Sequence, residues 1–306
     1  MIIIHSSNKT KPRLSKYLSY YYINKSYIHY FVVYGEKVQP DPKYPYLLAT
    51  SCKDNTISLS GKNAYAYDYF NRNENMGDFL YRAIDDTILN ITNLEKLINE
   101  LRSIYDPNKH LVFRGFPNNL HQRIFLGGGT GWLMSRAFVK AHFISEFSFQ
   151  HNFHFSYRHQ DDTTETLILK KIGYRNMNAW DDPRWVESLD SISSYKNLLN
   201  GKYDSLVKCP DGVELTSIRE LVSMHGKSDK EREIWKLYKN FPDNFYVYRK
   251  QCHGTCLAIC RSNPGIVNKR TTYQFLKDNS QFITLDDIKS KTLDPINRTN
   301  NFIPVN

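Results

Sequence analysis

The apolar residues of this chain form short unbroken runs, separated by segments in which apolar positions recur every three or four residues. The runs are rich in β-branched and aromatic residues, which is typical of buried strands. Residues 2–5, 30–34, 47–50 and 111–113 are such runs. We therefore expect each of these four segments to be a strand.

Helical spacing fills the intervals between these strands. Pro12 opens a first helix, residues 62–70 form a second, and a capping box of Thr92 and Glu95 starts a third that ends before Pro107. Strands alternating with helices indicate an α/β fold with a mostly parallel central sheet and helices on both faces. We find no internal repeat and no low-complexity segment.

The chain is organised around the segment from Phe79 to Leu89, in which an apolar run ends in Asp85 and Asp86. A buried strand that ends in two acids delivers them to the edge of a sheet, where ligands of open α/β folds bind. Paired carboxylates there suit a hard divalent cation, which can in turn hold a phosphate. The alternative is a helix cap or a solvated turn, and this segment alone favours that alternative.

A glycine-rich segment, residues 127–131, follows an apolar pair and precedes an amphipathic stretch that predicts a helix. Its spacing matches neither the Walker loop nor the dinucleotide fingerprint. A tight turn is the simpler interpretation, but four glycines in five positions favour a loop that a ligand approaches closely.

Two further segments carry candidate chemistry. Asp162 and Glu165 form an N-terminal capping box of a helix that Gly173 ends, and a carboxylate at such a place can also act as a general base. His225 follows a short apolar segment, with a predicted helix over 228–238 behind it. A lone histidine there is usually structural.

Composition restricts the class of protein but does not identify its chemistry. At 306 residues and 41% hydrophobic content, the chain can bury a large core. Its formal charge of +10 is spread along the sequence and predicts attraction to anions without specifying which. Without a secretory signal or a spanning segment, we expect a soluble intracellular or cytoplasmic protein. The abundance of Asn, Lys, Ile and Tyr suggests a viral or protist origin.

The chain has five cysteines, and an odd number mildly favours a reducing compartment. Cys252, Cys256 and Cys260 lie four residues apart, but zinc sites usually have closer pairs and a second half-site. We expect them to be free or partly disulfide-bonded in a packed segment.

Several motifs occur in an order that resembles the Fringe-like and core-1 galactosyltransferase-like β-1,3-glycosyltransferases, glycosyltransferase family 31. The matching residues are Arg13-Leu14, Ala83-x-Asp85-Asp86-Thr87, Asn93-Leu94, Asp106-Pro107, Gly128-Gly129-x-Gly131-Trp132-x-x-Ser135-Arg136, Asp161-Asp162 and His225. The resemblance covers residues 1–240 and implies a catalytic domain there. Residues 241–306 form an extension that could be an acceptor lid, a dimer contact or a small cap, and we favour packing on the same domain.

The resemblance implies a GT-A fold, a Rossmann-like sheet that binds a UDP-sugar and a divalent metal, usually Mn²⁺, with Mg²⁺ as the alternative. It implies the following roles: metal ligation by Asp86, His225 and Asp85; base catalysis by Asp162, with Asp161 as the neighbouring acid; contacts to the nucleotide by His5, Ser6, Ser7 and Arg13; and a loop lining the donor sugar with Gly128, Gly129, Gly131 and Trp132. Ile84 stands where the family has the first of three acids.

The function expected from this resemblance is the inverting transfer of a hexose or N-acetylhexosamine from a UDP-sugar to an acceptor hydroxyl on a glycan or glycoprotein, in a β-1,3 linkage. The first alternative is a module of the same fold that binds a glycan or nucleotide sugar without turnover, as Ile84 suggests. A nucleic-acid-binding protein ranks last, because no RNA- or DNA-binding motif is visible. A homodimer is compatible with all of these.

Overall fold

The computed structural model describes most of the chain as a mixed α/β fold. The described residues are 1–18, 28–55, 57–120, 123–156, 160–174, 182, 184–186, 200, 208–210, 215–226, 232–233, 245–252, 254–261 and 282–293. Most of the helix expected over 228–238 lies outside these residues.

A six-stranded sheet forms the centre of the fold. Its strands are β1 (Ile2–His5), β2 (Tyr30–Gly35), β3 (Tyr46–Ala49), β4 (Phe79–Ile84), β6 (Phe113–Arg114) and β9 (Trp132–Ser135). Their order in the sheet is β3-β2-β1-β4-β9-β6. The first four in spatial order are parallel, whereas β9 is antiparallel to both of its neighbours. The sheet is therefore mixed, with the mostly parallel character that we expected and one antiparallel strand near one edge.

Alternation along the strands gives the sheet two apolar faces. Ile2 and Ile4 pack in one cluster of buried residues, and Ile3 between them packs in the other. The first face is covered by α1 (Leu14–Tyr17) and α3 (Ile91–Ile104), the second by α2 (Leu59–Arg72), α4 (Arg136–Ala141), α5 (Phe149–Phe153) and α6 (Asp161–Ile172). Both faces of the sheet are covered by helices, as expected.

Smaller sheets surround the central one. They are formed by β5 (Thr87–Leu89), β7 (Pro117–Leu120), β8 (Arg123–Leu126), β10 (Trp185–Val186), β11 (Thr216–Ser217), β12 (Ser223–His225), β13 (Phe245–Cys252) and β14 (Gly254–Arg261). Their orders are β10-β12-β5, β11-β13-β14 and β7-β8. A last helix, α7 (Leu285–Leu293), buries Ile288 in the core on the second face of the central sheet.

The strands and helices predicted within the described residues are present, but several of their ends differ from prediction. The cap of α3 is the side chain of Asn90, which accepts from the Asn93 amide, so the capping box at Thr92 was wrong. Gln160 is the N-cap residue of α6 but makes no capping hydrogen bond with its side chain, and Glu165 is fully buried beside His142. The predicted capping box of Asp162 and Glu165 was therefore also wrong. Gly173 ends α6 in the left-handed conformation, as expected.

A disulfide joins Cys209 to Cys260 and fastens β14 to the segment that leads into β11. Disulfides are typical of oxidising compartments, and this bond counts against the reducing compartment that the odd cysteine number favoured. Cys52 is free and buried. Among the described residues, no helix is both long and apolar enough to cross a bilayer.

Candidate functional site

The candidate site lies at the carboxyl ends of β1 and β4. Strand β1 pairs in parallel with β2 on one side and with β4 on the other, so the strand order reverses between β1 and β4. Ligands of open α/β sheets bind in the crevice outside such a reversal. His5 pairs with Ile84 in register, and Ser6 and Asp85 therefore follow at the same edge.

Asp85 and Asp86 leave β4 in different directions. The carboxylate of Asp85 accepts a hydrogen bond of 2.8 Å from Oγ of Ser6, and the residue is only 5% exposed. Burial raises the pKa of the Asp85 carboxyl, and the neighbouring Asp86 charge adds to this effect despite hydrogen bonds from Thr10 and Ser6. Asp85 therefore fastens β4 to the end of β1.

Asp86 faces His225 instead. Its Oδ1 atom lies 3.4 Å from Nε2 of His225, and its Oδ2 atom is 2.8 Å from a guanidinium nitrogen of Arg13. Both members of the Asp86–His225 pair are largely buried, with side-chain exposures of 13% and 15%. Within the described part of the chain, Oδ1 of Asp86 is a buried oxygen without a hydrogen-bond partner.

The pairing of two short strands brings His225 to Asp86. Strand β5 begins directly after the two acids and runs antiparallel to β12, with Thr87 opposite His225. The amide of Gly226 donates to the carbonyl of Asp86 at 2.8 Å. A hydrogen-bonded ladder therefore fixes the distance between the two side chains.

The glycine segment forms a loop around a 3₁₀ turn, Gly128–Thr130, beside this pair. A Cβ built on Gly129 would lie 2.0 Å from Nδ1 of His225, so only glycine leaves space for the imidazole. Gly131 has a φ of +73°, and a Cβ there would lie 2.3 Å from the carbonyl of Arg82. The amphipathic stretch behind the loop begins as strand β9 before it becomes α4, whereas we expected a helix directly.

Gly128, the residue before Gly129, lies beside Asp162. A Cβ on Gly128 would lie 3.5 Å from Oδ2 of Asp162, which is half-buried in the first turn of α6. The Oδ1 atom of Asp162 accepts from the amide of Thr163 at 2.7 Å. One loop thus has the Asp86–His225 pair beside Gly129 and the Asp162 carboxylate beside Gly128.

Several of the remaining predicted site residues are buried. Asp161 is 4% exposed and forms an ion pair with Arg82, and Trp132 is fully buried under the same guanidinium. His5 is also buried, and its pKa is well below the ordinary value because of desolvation and the charges of Arg82 and Lys62. Ser6 is buried as well, at 4% exposure, and its hydroxyl donates to Asp85 at the carboxyl edge of the sheet.

Ser7 and Arg13 lie near the surface of the same edge. The side chain of Ser7 is 2.8 Å from Oγ1 of Thr10, which orders the turn that follows β1. The Arg13 side chain is half exposed while it holds Asp86. Both residues are therefore accessible from the crevice where the resemblance places a nucleotide.

A divalent cation fits the donor atoms of Asp86 and His225. Two neighbouring ligands about 2.1 Å from a cation lie roughly 3 Å apart, close to the observed spacing of 3.4 Å. The Oδ1 atom of Asp86, which has no hydrogen-bond partner within the described part of the chain, would be the oxygen ligand of such a cation. Among the described residues, no group of three or more His, Cys, Asp or Glu side chains is arranged to hold a metal ion. The carboxylate of Asp85 is turned away from His225 and accepts from Ser6.

Sequence reasoning missed the side chains that hold the glycine loop. Tyr81, Arg82, Thr87 and Ser223 all donate hydrogen bonds to its carbonyl groups. Tyr81 and Arg82 gave no signal because they belong to a strand run, and a polar residue on a strand is ordinarily solvated.

Comparison with known protein families and with curated proteins found no match to this chain.

Proposed function

We propose that this chain is an inverting, metal-dependent glycosyltransferase of the GT-A fold, which moves a hexose or N-acetylhexosamine from a UDP-sugar to an acceptor hydroxyl in a β-1,3 linkage. One observation carries the proposal. A single glycine loop at the reversal of strand order has the Asp86–His225 pair beside Gly129 and the Asp162 carboxylate beside Gly128.

The placement of Asp162 supports a role as general base. Inverting transfer needs one group to take the proton of the acceptor hydroxyl while that oxygen attacks the anomeric carbon from the face opposite the leaving diphosphate. Asp162 is half-buried beside Gly128, in the first turn of α6, where the helix dipole favours an ionised carboxylate. The missing side chain of Gly128 gives the sugar room to reach it.

Asp86 and His225 would hold the cation, and a mixed carboxylate and imidazole set suits Mn²⁺ better than Mg²⁺. The bound metal would neutralise charge that develops on the departing diphosphate. Arg13 holds the second oxygen of Asp86 and adds a positive charge at the crevice where the diphosphate would lie. If these two side chains are its ligands among the described residues, substrate oxygens and water would complete the coordination of the cation.

The position of the acids supports a nucleotide-binding sheet of this kind. Ser6, Ser7 and Asp85 share the carboxyl edge of β1 and β4, which is where open α/β sheets bind nucleotides. The antiparallel strand β9 follows the glycine loop directly and so anchors the loop beside β4.

A binding module of the same fold is the second candidate. Ile84 is the last residue of β4 and is half-buried at the ligand edge, where an acid would add to the donor site. With Asp85 bonded to Ser6, the edge presents one carboxylate to a cation. Such a protein would bind a nucleotide sugar without releasing UDP.

The first experiment is a donor screen on the purified full chain, with Mn²⁺ present or chelated. Each common UDP-sugar is tested by thermal shift and by release of UDP. Metal-dependent stabilisation by one UDP-sugar with slow UDP release supports the enzyme and names the donor. Stabilisation without release, even with varied acceptors, favours the binding module. No response to any nucleotide sugar would overturn both.

A further inference from the structure

The glycine loop is fixed through its carbonyl groups by side chains from three strands. Arg82 donates to the carbonyl of Gly128 at 2.6 Å, and Thr87 donates to that of Gly129 at 2.9 Å. The carbonyl of Thr130 accepts from Tyr81 at 2.7 Å and from Ser223 at 2.5 Å. The conformation of the loop is therefore set by the sheet rather than by the glycines alone.

Arg82 differs from the other three donors because it also binds α6. Its second terminal nitrogen forms an ion pair with the carboxylate of Asp161, which accepts a further hydrogen bond of 3.2 Å from Asn63. The guanidinium of Arg82 lies 4.3 Å from the centre of the Trp132 ring, and Arg82 is 1% exposed. The planar guanidinium of Arg82 thus joins the glycine loop to the first turn of α6, the helix that carries Asp162.

We propose that Arg82 is a positioning residue that fixes the Asp162 carboxylate against the glycine loop. Its role in the reaction rests on the proposed function, whereas its mechanical role does not. Asp161 and Asp162 are adjacent, so the ion pair of Arg82 with Asp161 fixes the position of the first turn of α6. The hydrogen bond of Arg82 to the Gly128 carbonyl fixes the position of the glycine loop that faces Asp162. These two bonds therefore set the distance between the Asp162 carboxylate and the glycine loop.

The proposal requires arginine. A guanidinium presents several donors in a fixed fork and can bind two acceptors at once, whereas a lysine ammonium is a point charge on a flexible stem. Lysine at this position keeps the charge that Asp161 needs but cannot hold both Gly128 and Asp161 in one fixed geometry. Arg82→Lys therefore tests the effect of the guanidinium geometry while the positive charge is kept.

The chain offers a matched control in Arg136. This residue is also buried, lies 4.1 Å from the centre of the Phe70 ring, and donates to backbone carbonyls, including those of Phe70 and Gly77. None of these carbonyls belongs to the glycine loop. Arg136→Lys thus measures the general effect of shortening a buried arginine.

The first measurement is amide hydrogen exchange of the full chain, because it does not depend on activity. We expect Arg82→Lys to speed exchange of residues 127–131 and of the first turn of α6 by about tenfold, with no such change in Arg136→Lys. Equal exchange in the two variants would overturn the proposal. If Arg82→Lys fails to fold, the charge-free pair Arg82→Gln with Asp161→Asn is expected to fold and to show the same faster exchange.

The second measurement is turnover of UDP-galactose and UDP-N-acetylglucosamine with Mn²⁺. We expect kcat of Arg82→Lys to fall on the order of 100-fold with the donor KM unchanged, since a small misplacement of the base affects the chemical step. A matching rise in KM, or an equal loss in Arg136→Lys, would overturn positioning of the base. If the wild type turns over no UDP-sugar of the donor screen but the exchange result holds, the proposed enzyme fails and the mechanical role of Arg82 stands.

Discussion

The imidazole of His225 occupies the space that a side chain on Gly129 would need. A Cβ built on Gly129 would lie 2.0 Å from Nδ1 and 2.3 Å from Cε1 of this ring. The Gly129 carbonyl is meanwhile held by Thr87, so the loop has little freedom to move away. This glycine is required because the backbone must approach His225, not because the turn needs an unusual conformation.

Gly129→Ala is therefore expected to displace His225 and to weaken Mn²⁺ binding by more than about tenfold, since second-shell changes alone cost that much. Isothermal titration with Mn²⁺ measures this directly. Gly128→Ala is the control, because its Cβ would make only an ordinary contact of 3.5 Å with Asp162. Unchanged affinity in Gly129→Ala would contradict the placement of His225 as a ligand.

The two adjacent acids are expected to differ in their effect on the cation. Asp86→Asn removes the carboxylate that faces His225, and we expect the increase in melting temperature with Mn²⁺ to disappear. Asp85→Asn should keep most of that increase, because the Asp85 carboxylate is bonded to Ser6. Thermal shift with and without Mn²⁺ separates the variants, and the reverse order would show that Asp85 is the ligand.

Asp85 also predicts a dependence of stability on pH. Its pKa is raised above the usual 3.8 in the folded protein, so the fold binds this proton more tightly than the unfolded chain does. The ionised form therefore costs stability at pH values above the folded pKa, and this cost disappears as the pH falls toward 3.8. We expect Asp85→Asn to have a higher melting temperature than the wild type at pH 7 to 8, and no advantage near pH 4.

The control for this pH series is Asp68→Asn, which removes an exposed carboxylate paired with Arg72. Exposed pairs of this kind contribute little to stability, so its melting curve should follow that of the wild type at every pH. An advantage of Asp85→Asn that persists at pH 4 would show that ionisation of Asp85 is not its cause.

The strands and the position of the acids follow from the sequence because they depend on local order. An unbroken apolar run such as Ile2–Ile4 can be buried only between two packed faces, and acids directly after such a run must lie at the end of a strand. Gly173 similarly ends its helix as expected, because a left-handed cap is a property of a few neighbouring residues.

The assembly of the site depends on contacts that local order does not encode. Strands β5 and β12 have three residues each and lie far apart in the chain, so no periodicity predicts that they pair and bring His225 to Asp86. Only the resemblance predicted that Asp86 and His225 lie close together. The ion pair of Arg82 and Asp161 was missed for the same reason, since each residue alone is typical of a solvated surface.

The disulfide of Cys209 and Cys260 is expected to contribute substantially to stability. The two residues are separated by 51 positions, and closing a loop of that size stabilises the fold by about 4 kcal/mol in the chain-entropy account. Urea unfolding with and without a reducing agent measures the contribution. The double variant Cys209→Ser, Cys260→Ser should match the reduced wild type, and a further effect of reductant on it would point to another cause.

The strongest test of the candidate base is Asp162→Asn. Because the side chain is half-buried and its amide can still accept from Thr163, we expect the variant to fold and to bind the UDP-sugar as the wild type does. Its turnover should fall by about 100- to 10,000-fold, which is the usual contribution of a general base.

Asp161→Asn provides the contrast, since it leaves the buried guanidinium of Arg82 without its carboxylate and should lower the melting temperature. Donor binding by isothermal titration, UDP release and thermal unfolding of both variants distinguish loss of chemistry from loss of structure. Full turnover in Asp162→Asn would exclude this carboxylate as the base. Inactivity of both variants together with weak donor binding would instead indicate a general disturbance of the site.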